Sequence, residues 1–156
     1  MNKNKFVNDT FRDLTTLGGF TFYCLILLVA LIFQELTLLF HLLFGLIFTF
    51  IVIVIIRTFY FKSRPNKENY HNFIGRIDAS SFPSWHAARI VFLAFIFSYF
   101  FKSNAIDNFN NYLTLLFIII ALLVSYSRVY LKKHDWWDII GGVILGIITF
   151  WLSNFI

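Results

Sequence analysis

From Leu14 to Ile56 the chain is almost uninterrupted apolar sequence. One helix crosses the hydrocarbon core with about 20 apolar residues, so this run is too long for a single span. Gln34-Glu35 lies near its middle. A carboxylate is costly inside hydrocarbon, so the pair marks a tight hairpin at the far surface and divides the run into helices over 14–33 and 36–56. Three more apolar stretches predict helices over 83–101, 112–130 and 138–155. Pro83 suits a first helical position, with Ser80 and Ser81 available as caps. The expected fold class is therefore all-α: a polytopic membrane helix bundle of about five transmembrane helices in a single domain. Residues 1–13 are mixed and polar, and are expected to form a disordered or interfacial tail.

Composition agrees. The 156 residues are 59% hydrophobic and 13% charged, against about 45–50% and about 25% in soluble domains. The net charge of +5 suits anionic headgroups or phosphate. Nucleic acid is excluded as a partner because the basic residues cluster around membrane-bounded segments. The single cysteine, Cys24, rules out an intramolecular disulfide and a cysteine-based zinc site, and reads as an apolar filler. His41, alone on an apolar helix, reads as a packed polar residue. Gly142 and Gly146, four apart, favour close helix packing. Trp136, Trp137 and Trp151 suit interfacial belts at the two ends of the last helix.

Counting crossings brings the polar chemistry together. The first two helices form a hairpin that returns to its starting side. The third crosses, residues 102–111 form a turn, and the fourth comes back. Residues 57–85, the longest polar stretch, therefore share one face with the segment Ser127–Asp138. Three clusters result. Arg57 is followed after six residues by Arg64-Pro65. Then comes Pro83-Ser84-Trp85-His86. Last, Ser127-Arg128 is followed after five residues by His134 and after three more by Asp138. On a helix His134 and Asp138 are neighbours one turn apart, so the carboxylate can hold one imidazole nitrogen and leave the other free to attack. Arginine forks match tetrahedral oxyanions, and the helix start near Ser84 offers free N–H groups. Hard-cation ligands are few and two histidines do not make a zinc site. The expectation is metal-independent phosphoryl transfer with no cofactor.

In these clusters the chain resembles the type 2 phosphatidic acid phosphatase superfamily, whose pattern is Lys-x6-Arg-Pro, Pro-Ser-Gly-His and Ser-Arg-x5-His-x3-Asp. The third cluster matches in full. Trp85 replaces glycine in the second, and Arg57 replaces lysine in the first. The resemblance implies a lipid phosphate or diphosphate phosphatase with a membrane lipid phosphate as substrate. His134 would form a phosphohistidine, Asp138 would orient it, and His86 would protonate the leaving oxygen and later activate water. Arg57, Arg64, Ser84, Trp85 and Arg128 would bind phosphate, the last through its guanidinium and Trp85 through its backbone N–H. A lipid phosphotransferase or a non-catalytic lipid-phosphate binder would use the same residues. Arg89, one turn past His86, reads first as a structural partner of Asp78 and second as a phosphate contact. Lys132 and Lys133 read as surface cations.

Lysine and arginine gather on the site face, whereas the other face carries Lys102. The positive-inside rule then turns the site to the cytoplasm, while many members of the family have an outward-facing site. Oligomeric state and lipid identity leave no signature in the sequence.

Overall fold

The structure, a computed structural model, describes residues 3–104 and 108–155, with side chains over 5–102 and 111–155. Among these residues the named elements are all helices: α1 (Lys3–Thr16), α2 (Phe20–Ile32), α3 (Leu36–Phe59), α4 (Phe73–Ala79), α5 (Trp85–Asn104), α6 (Asn108–Tyr130) and α7 (Trp136–Ser153). Extended pairing is limited to one bridge between Ser63 and Ser80. Helices α3, α5, α6 and α7 are long and apolar enough to cross a membrane. α1 and α2, bent by 44° at their junction, make a fifth span if counted as one. The polytopic helical bundle read from the sequence is the fold the chain adopts.

α5 is the central element and packs against α3, α6 and α7. Its residues Ala87, Ala88, Phe92, Leu93 and Ile96 are buried, whereas α3 and α6 turn Phe40, Ile47, Ile51, Leu115 and Leu122 outward. In lipid, apolar surface gives helices little reason to associate, so small residues that permit close backbone approach decide the packing. Gly142 and Gly146 do this here. A Cβ on Gly142 would stand 2.7 Å from the Ser84 carbonyl, and one on Gly146 would stand 2.6 Å from the Ala88 carbonyl. The α7 face carrying both glycines therefore lies directly on the first turns of α5, and it sets the spacing between the second and third clusters.

The hairpin at Gln34-Glu35 forms as expected, with Gln34 at φ 58° and the Glu35 N–H donating to the Ala30 carbonyl at 3.0 Å. Four expectations are corrected. The segment read as a polar tail is helix α1. Phe11 seats it on the rings of Tyr126 and Tyr130, contacts that average hydropathy conceals. The first apolar helix does not run unbroken from 14, because the chain turns at Leu17–Gly19 before α2. The polar stretch contains α4, capped by the Asn72 side chain accepting from the Gly75 N–H. Finally, α5 begins at Trp85 rather than Pro83. The Pro83 carbonyl is held by Arg57 and the Ser84 N–H by Asp138, so the chain is committed elsewhere until Ser84. Ser80 and Ser81 do not cap this helix. They pair instead with the segment 62–63: Ser81 N–H donates to the Lys62 carbonyl and the Lys62 N–H to Ser80 Oγ.

Candidate active site

The three clusters meet at one end of the bundle, and backbone hydrogen bonds hold them there. The Ser84 N–H donates to the Asp138 carbonyl at 3.0 Å, tying the start of α5 to the start of α7. The N–H groups of Lys133 and His134 both donate to the Arg128 carbonyl, at 3.0 and 3.2 Å. Lys132, at φ 54°, turns the chain so that this can happen. The five-residue spacing between Arg128 and His134 is the length of that return. It sets the imidazole beside the guanidinium at the end of α6.

A cavity of about 280 Å³ is lined by Phe20, Arg64, Asp78, Trp85, His86, Arg89, Arg128 and His134. Both histidines of the sequence pattern thus face one space. Three guanidinium groups surround it, and the one carboxylate, Asp78, belongs to an exposed residue at the rim. Buried polar nitrogens ordinarily find partners. Here Nε of Arg64, Arg89 and Arg128 and both ring nitrogens of His134 are buried with no hydrogen-bond partner in the protein. Such a concentration of unpaired donors and cations around a concave space is suited to a multivalent oxyanion.

His134 is buried, and its Nδ1 lies 3.5 Å from Oδ2 of Asp138. That separation is longer than a hydrogen bond but within reach of one. The contact turns Nε2 away from the carboxylate. Burial holds the imidazole below its usual range, against the opposing pull of Asp138. The neutral form that can act as a nucleophile therefore persists below about pH 6.5.

Asp138 is fully buried and engaged on every side. Its Oδ1 accepts from Lys62 Nζ at 2.8 Å, and its Oδ2 from the Asp135 N–H at 3.0 Å. The Asp138 N–H donates in return to Asp135 Oδ1 at 3.0 Å, a reciprocal box that starts α7. Lys62 also reaches Asp135 at 2.6 Å. Burial opposes the charge of Lys62, but the hydrogen bonds to Asp135 and Asp138 outweigh it and raise its pKa. The stability this pairing lends is present below the free-lysine value of about 10.4 and is lost as pH rises through the raised one. Lys62 is the residue that sequence reasoning missed. It lies inside the six-residue spacer and carries no motif of its own. The Asp135-x-x-Asp138 box, by contrast, has the spacing of a helix start.

The remaining predicted residues divide. Arg64 lines the cavity, anchored on its outer side by the Glu68 carboxylate and the Asp78 carbonyl. Glu68 also receives Lys133 at 2.6 Å, and although burial opposes it, the pairing with Lys133 and Arg64 lowers its pKa. Lys133 is therefore paired rather than a free surface cation. Arg128 lines the cavity and donates from Nη1 to Thr15 Oγ1 at 3.1 Å, which brings α1 into the site's support. Ser84 is fully buried, and its Oγ accepts from the Ala87 N–H at 3.4 Å. Its hydroxyl is placed as a helix cap rather than toward the cavity.

Arg57 departs from the phosphate-binding role the resemblance implies. It is fully buried and outside the cavity lining. Its Nη1 donates to the Ile77 carbonyl at 2.9 Å and its Nη2 to the Pro83 carbonyl at 2.8 Å, with the guanidinium 5.0 Å from the Trp85 ring centroid. A planar fork suits two fixed carbonyls better than an ammonium does. Arg57 accordingly fastens α4 and the approach to α5 together. Trp85 adopts an ordinary helical position, and its indole packs against Phe50 and lines the cavity wall. Arg89 makes no ion pair with Asp78 among the described residues. Its guanidinium lies over Trp85 and Phe20 instead.

Residues 38–155 match the family model of the PAP2 superfamily. The fold is similar to the crystal structure of LpxE from Aquifex aeolicus, with a TM-score of 0.75 at 20% identity, over 97% of this chain and 87% of that one. No curated protein sequence matches the chain.

Proposed function

From the premise that the chain belongs to the PAP2 superfamily, we propose that it is a phosphatase of membrane lipid mono- or diphosphates that works through a phosphohistidine on His134. The observation that carries this reading is the set of buried, unpaired nitrogens on Arg64, Arg89, Arg128 and His134 around one cavity. His134 Nε2 attacks phosphorus. The bond from phosphorus to the lipid oxygen breaks, and its electron pair goes to that oxygen, which takes a proton from His86. Asp138 holds the Nδ1 proton and balances the charge on the ring. Arg64 and Arg128 stabilise the equatorial oxygens, where positioning and fixed charge supply most of the rate. Water then attacks the phosphohistidine with His86 as base, the P–N bond breaks, and phosphate leaves. Phe20, exposed at the start of α2, and the exposed Asp78, on α4, both line the cavity. That arrangement suits an amphiphile with its tail in the bilayer and its headgroup in the cavity.

The wall of arginines repels a divalent cation, so we read the chemistry as metal-independent. The test is phosphate release by the purified protein from a panel of lipid phosphates. Activity is expected to survive a chelator and to be blocked by vanadate. A strict requirement for an added metal ion sinks the reading, and transfer to an added alcohol in preference to water converts it to a phosphotransferase.

We further infer that the site faces the cytoplasm. Lys62, Lys67, Arg76, Lys132 and Lys133 flank it, and Lys102 lies at the other end. Lys67 and Lys102 are both exposed. In intact cells, an impermeant thiol reagent is expected to label Lys102→Cys and spare Lys67→Cys, tested in a Cys24→Ser background. Labelling of Lys67→Cys alone reverses the orientation.

A further inference from the structure

We infer that Arg89 grips the phosphate on the leaving side of a lipid diphosphate, which makes diphosphates the preferred substrates of this site. The inference rests on the phosphatase reading above and extends it to a substrate class. Arg89 is three positions after His86 on α5, so the two share a face and Arg89 sits about 4.5 Å further along the helix. α5 runs from the site into the apolar bundle, so further along means closer to the bilayer centre. That is the side from which a lipid tail must reach its headgroup. A group there meets the part of the substrate between the reacting phosphorus and the tail.

Apart from two aromatic rings, no group holds the Arg89 guanidinium among the described residues. It is buried within a spanning helix, its Nε has no partner, and no carboxylate pairs with it among the described residues. An unpaired cation at such depth is expensive and is kept for an anion that arrives with a ligand. Its direction is fixed: the guanidinium lies 5.2 Å from the Trp85 ring centroid and 5.6 Å from that of Phe20. Trp85 carries Arg57 as well, at 5.0 Å. The cation that the family pattern puts first is held away from the cavity by the Ile77 and Pro83 carbonyls, and the tryptophan that replaces the pattern's glycine lies against a different one that lines it.

The charge fits. A phosphomonoester carries about two negative charges, and a diphosphate about one more, on the phosphate that Arg89 reaches. When His134 attacks the terminal phosphorus, the bond to the bridging oxygen breaks and its electron pair stays on that oxygen. The oxygen becomes part of a lipid monophosphate. The charge that develops there in the transition state is the charge Arg89 meets, so the interaction strengthens as the bond breaks.

The experiment compares farnesyl diphosphate with farnesyl monophosphate, which have the same tail, on the purified full chain in detergent. The ratio of kcat/KM values, diphosphate over monophosphate, is expected to be about 10 or more and to fall to about one in Arg89→Met. Arg89→Lys, which keeps the charge, is expected to restore part of that ratio. A ratio unchanged in Arg89→Met, with both substrates slowed alike, overturns the inference, because a packing or general anchoring role predicts that result. A wild-type ratio near one overturns it too while leaving the phosphatase reading intact. Failure of the wild type to hydrolyse either substrate or any other lipid phosphate sinks that reading itself.

Discussion

Alanine at position 134 is expected to lower phosphate release by about 10⁵-fold, because the residue removed is the atom that attacks. The packing cost must be separated from the chemical one. His134 is 1% exposed and stands against the buried Asp138 carboxylate. Its loss leaves a cavity, and the carboxylate keeps its partners Lys62 and Asp135. Gln at 134 fills most of the space and can still donate toward Asp138, so it is expected to be as inactive as alanine while unfolding closer to the wild-type temperature. A second measurement isolates the step. In His86→Ala an aryl phosphate, whose leaving group needs no proton, is expected to release about one equivalent of phenol per protein and then stall. The trapped phosphoryl group should be acid-labile and absent from the double variant with His134→Ala. Steady turnover without a burst, or a burst that persists in the double variant, removes His134 from the nucleophile's role. The geometry makes the outcome informative because both imidazoles line one cavity, so neither variant acts through a distant structural change.

What the sequence could convey about this site was spacing. The five residues between Arg128 and His134 and the three between His134 and Asp138 are set by a helix end, a left-handed residue and a helix cap; His134 is not on a helix with Asp138, as the spacing suggests, but precedes the Asp135 cap of α7. Those are local geometries, and a reader of the chain can reconstruct them. Hydropathy similarly located the crossings, since each is a local average. The details it missed all depend on contacts between distant segments. Lys62 finds Asp138, 76 positions later, only after the polar stretch has folded back on the start of α7. Arg57 occupies the position of a phosphate-binding cation, and two carbonyls from the later segment 77–83 turn it aside. Helix α1 has the composition of a tail, and it is helical because two tyrosines and Arg128, more than a hundred residues later, give Phe11 and Thr15 something to hold. Charge alone pairs Arg89 with Asp78; the rings that hold it instead are Phe20, on α2, and Trp85, one turn back on α5 itself.

Asp138→Asn is expected to reduce kcat by about 10³- to 10⁴-fold with little change in KM, although it deletes no atom that touches the substrate. The carboxylate has two oxygens and both are in use: Oδ1 accepts from Lys62, and Oδ2 accepts from the Asp135 N–H while facing His134 Nδ1. An amide has one acceptor. If its oxygen faces His134, its NH₂ meets the Lys62 ammonium, donor against donor in a buried site. If its NH₂ faces His134, the ring must present a lone pair at Nδ1 and carry its proton on Nε2, which leaves the attacking atom blocked. The second arrangement sets the NH₂ against the Asp135 N–H instead, but the charged Lys62 ammonium outcompetes that neutral donor for the single oxygen, so the amide drives the nucleophile into its unreactive tautomer. Lys62→Met separates these effects. It leaves the carboxylate facing His134 and removes only the clamp on Oδ1, so a loss of about 10-fold is expected, the scale at which supporting partners act. In the double variant the amide is free to rotate with its oxygen toward His134. Lys62→Met/Asp138→Asn should then be more active than Asp138→Asn alone. Strictly multiplicative losses in the double variant would mean that Lys62 does not control the orientation of residue 138, and the wild-type role of Asp138 would reduce to charge.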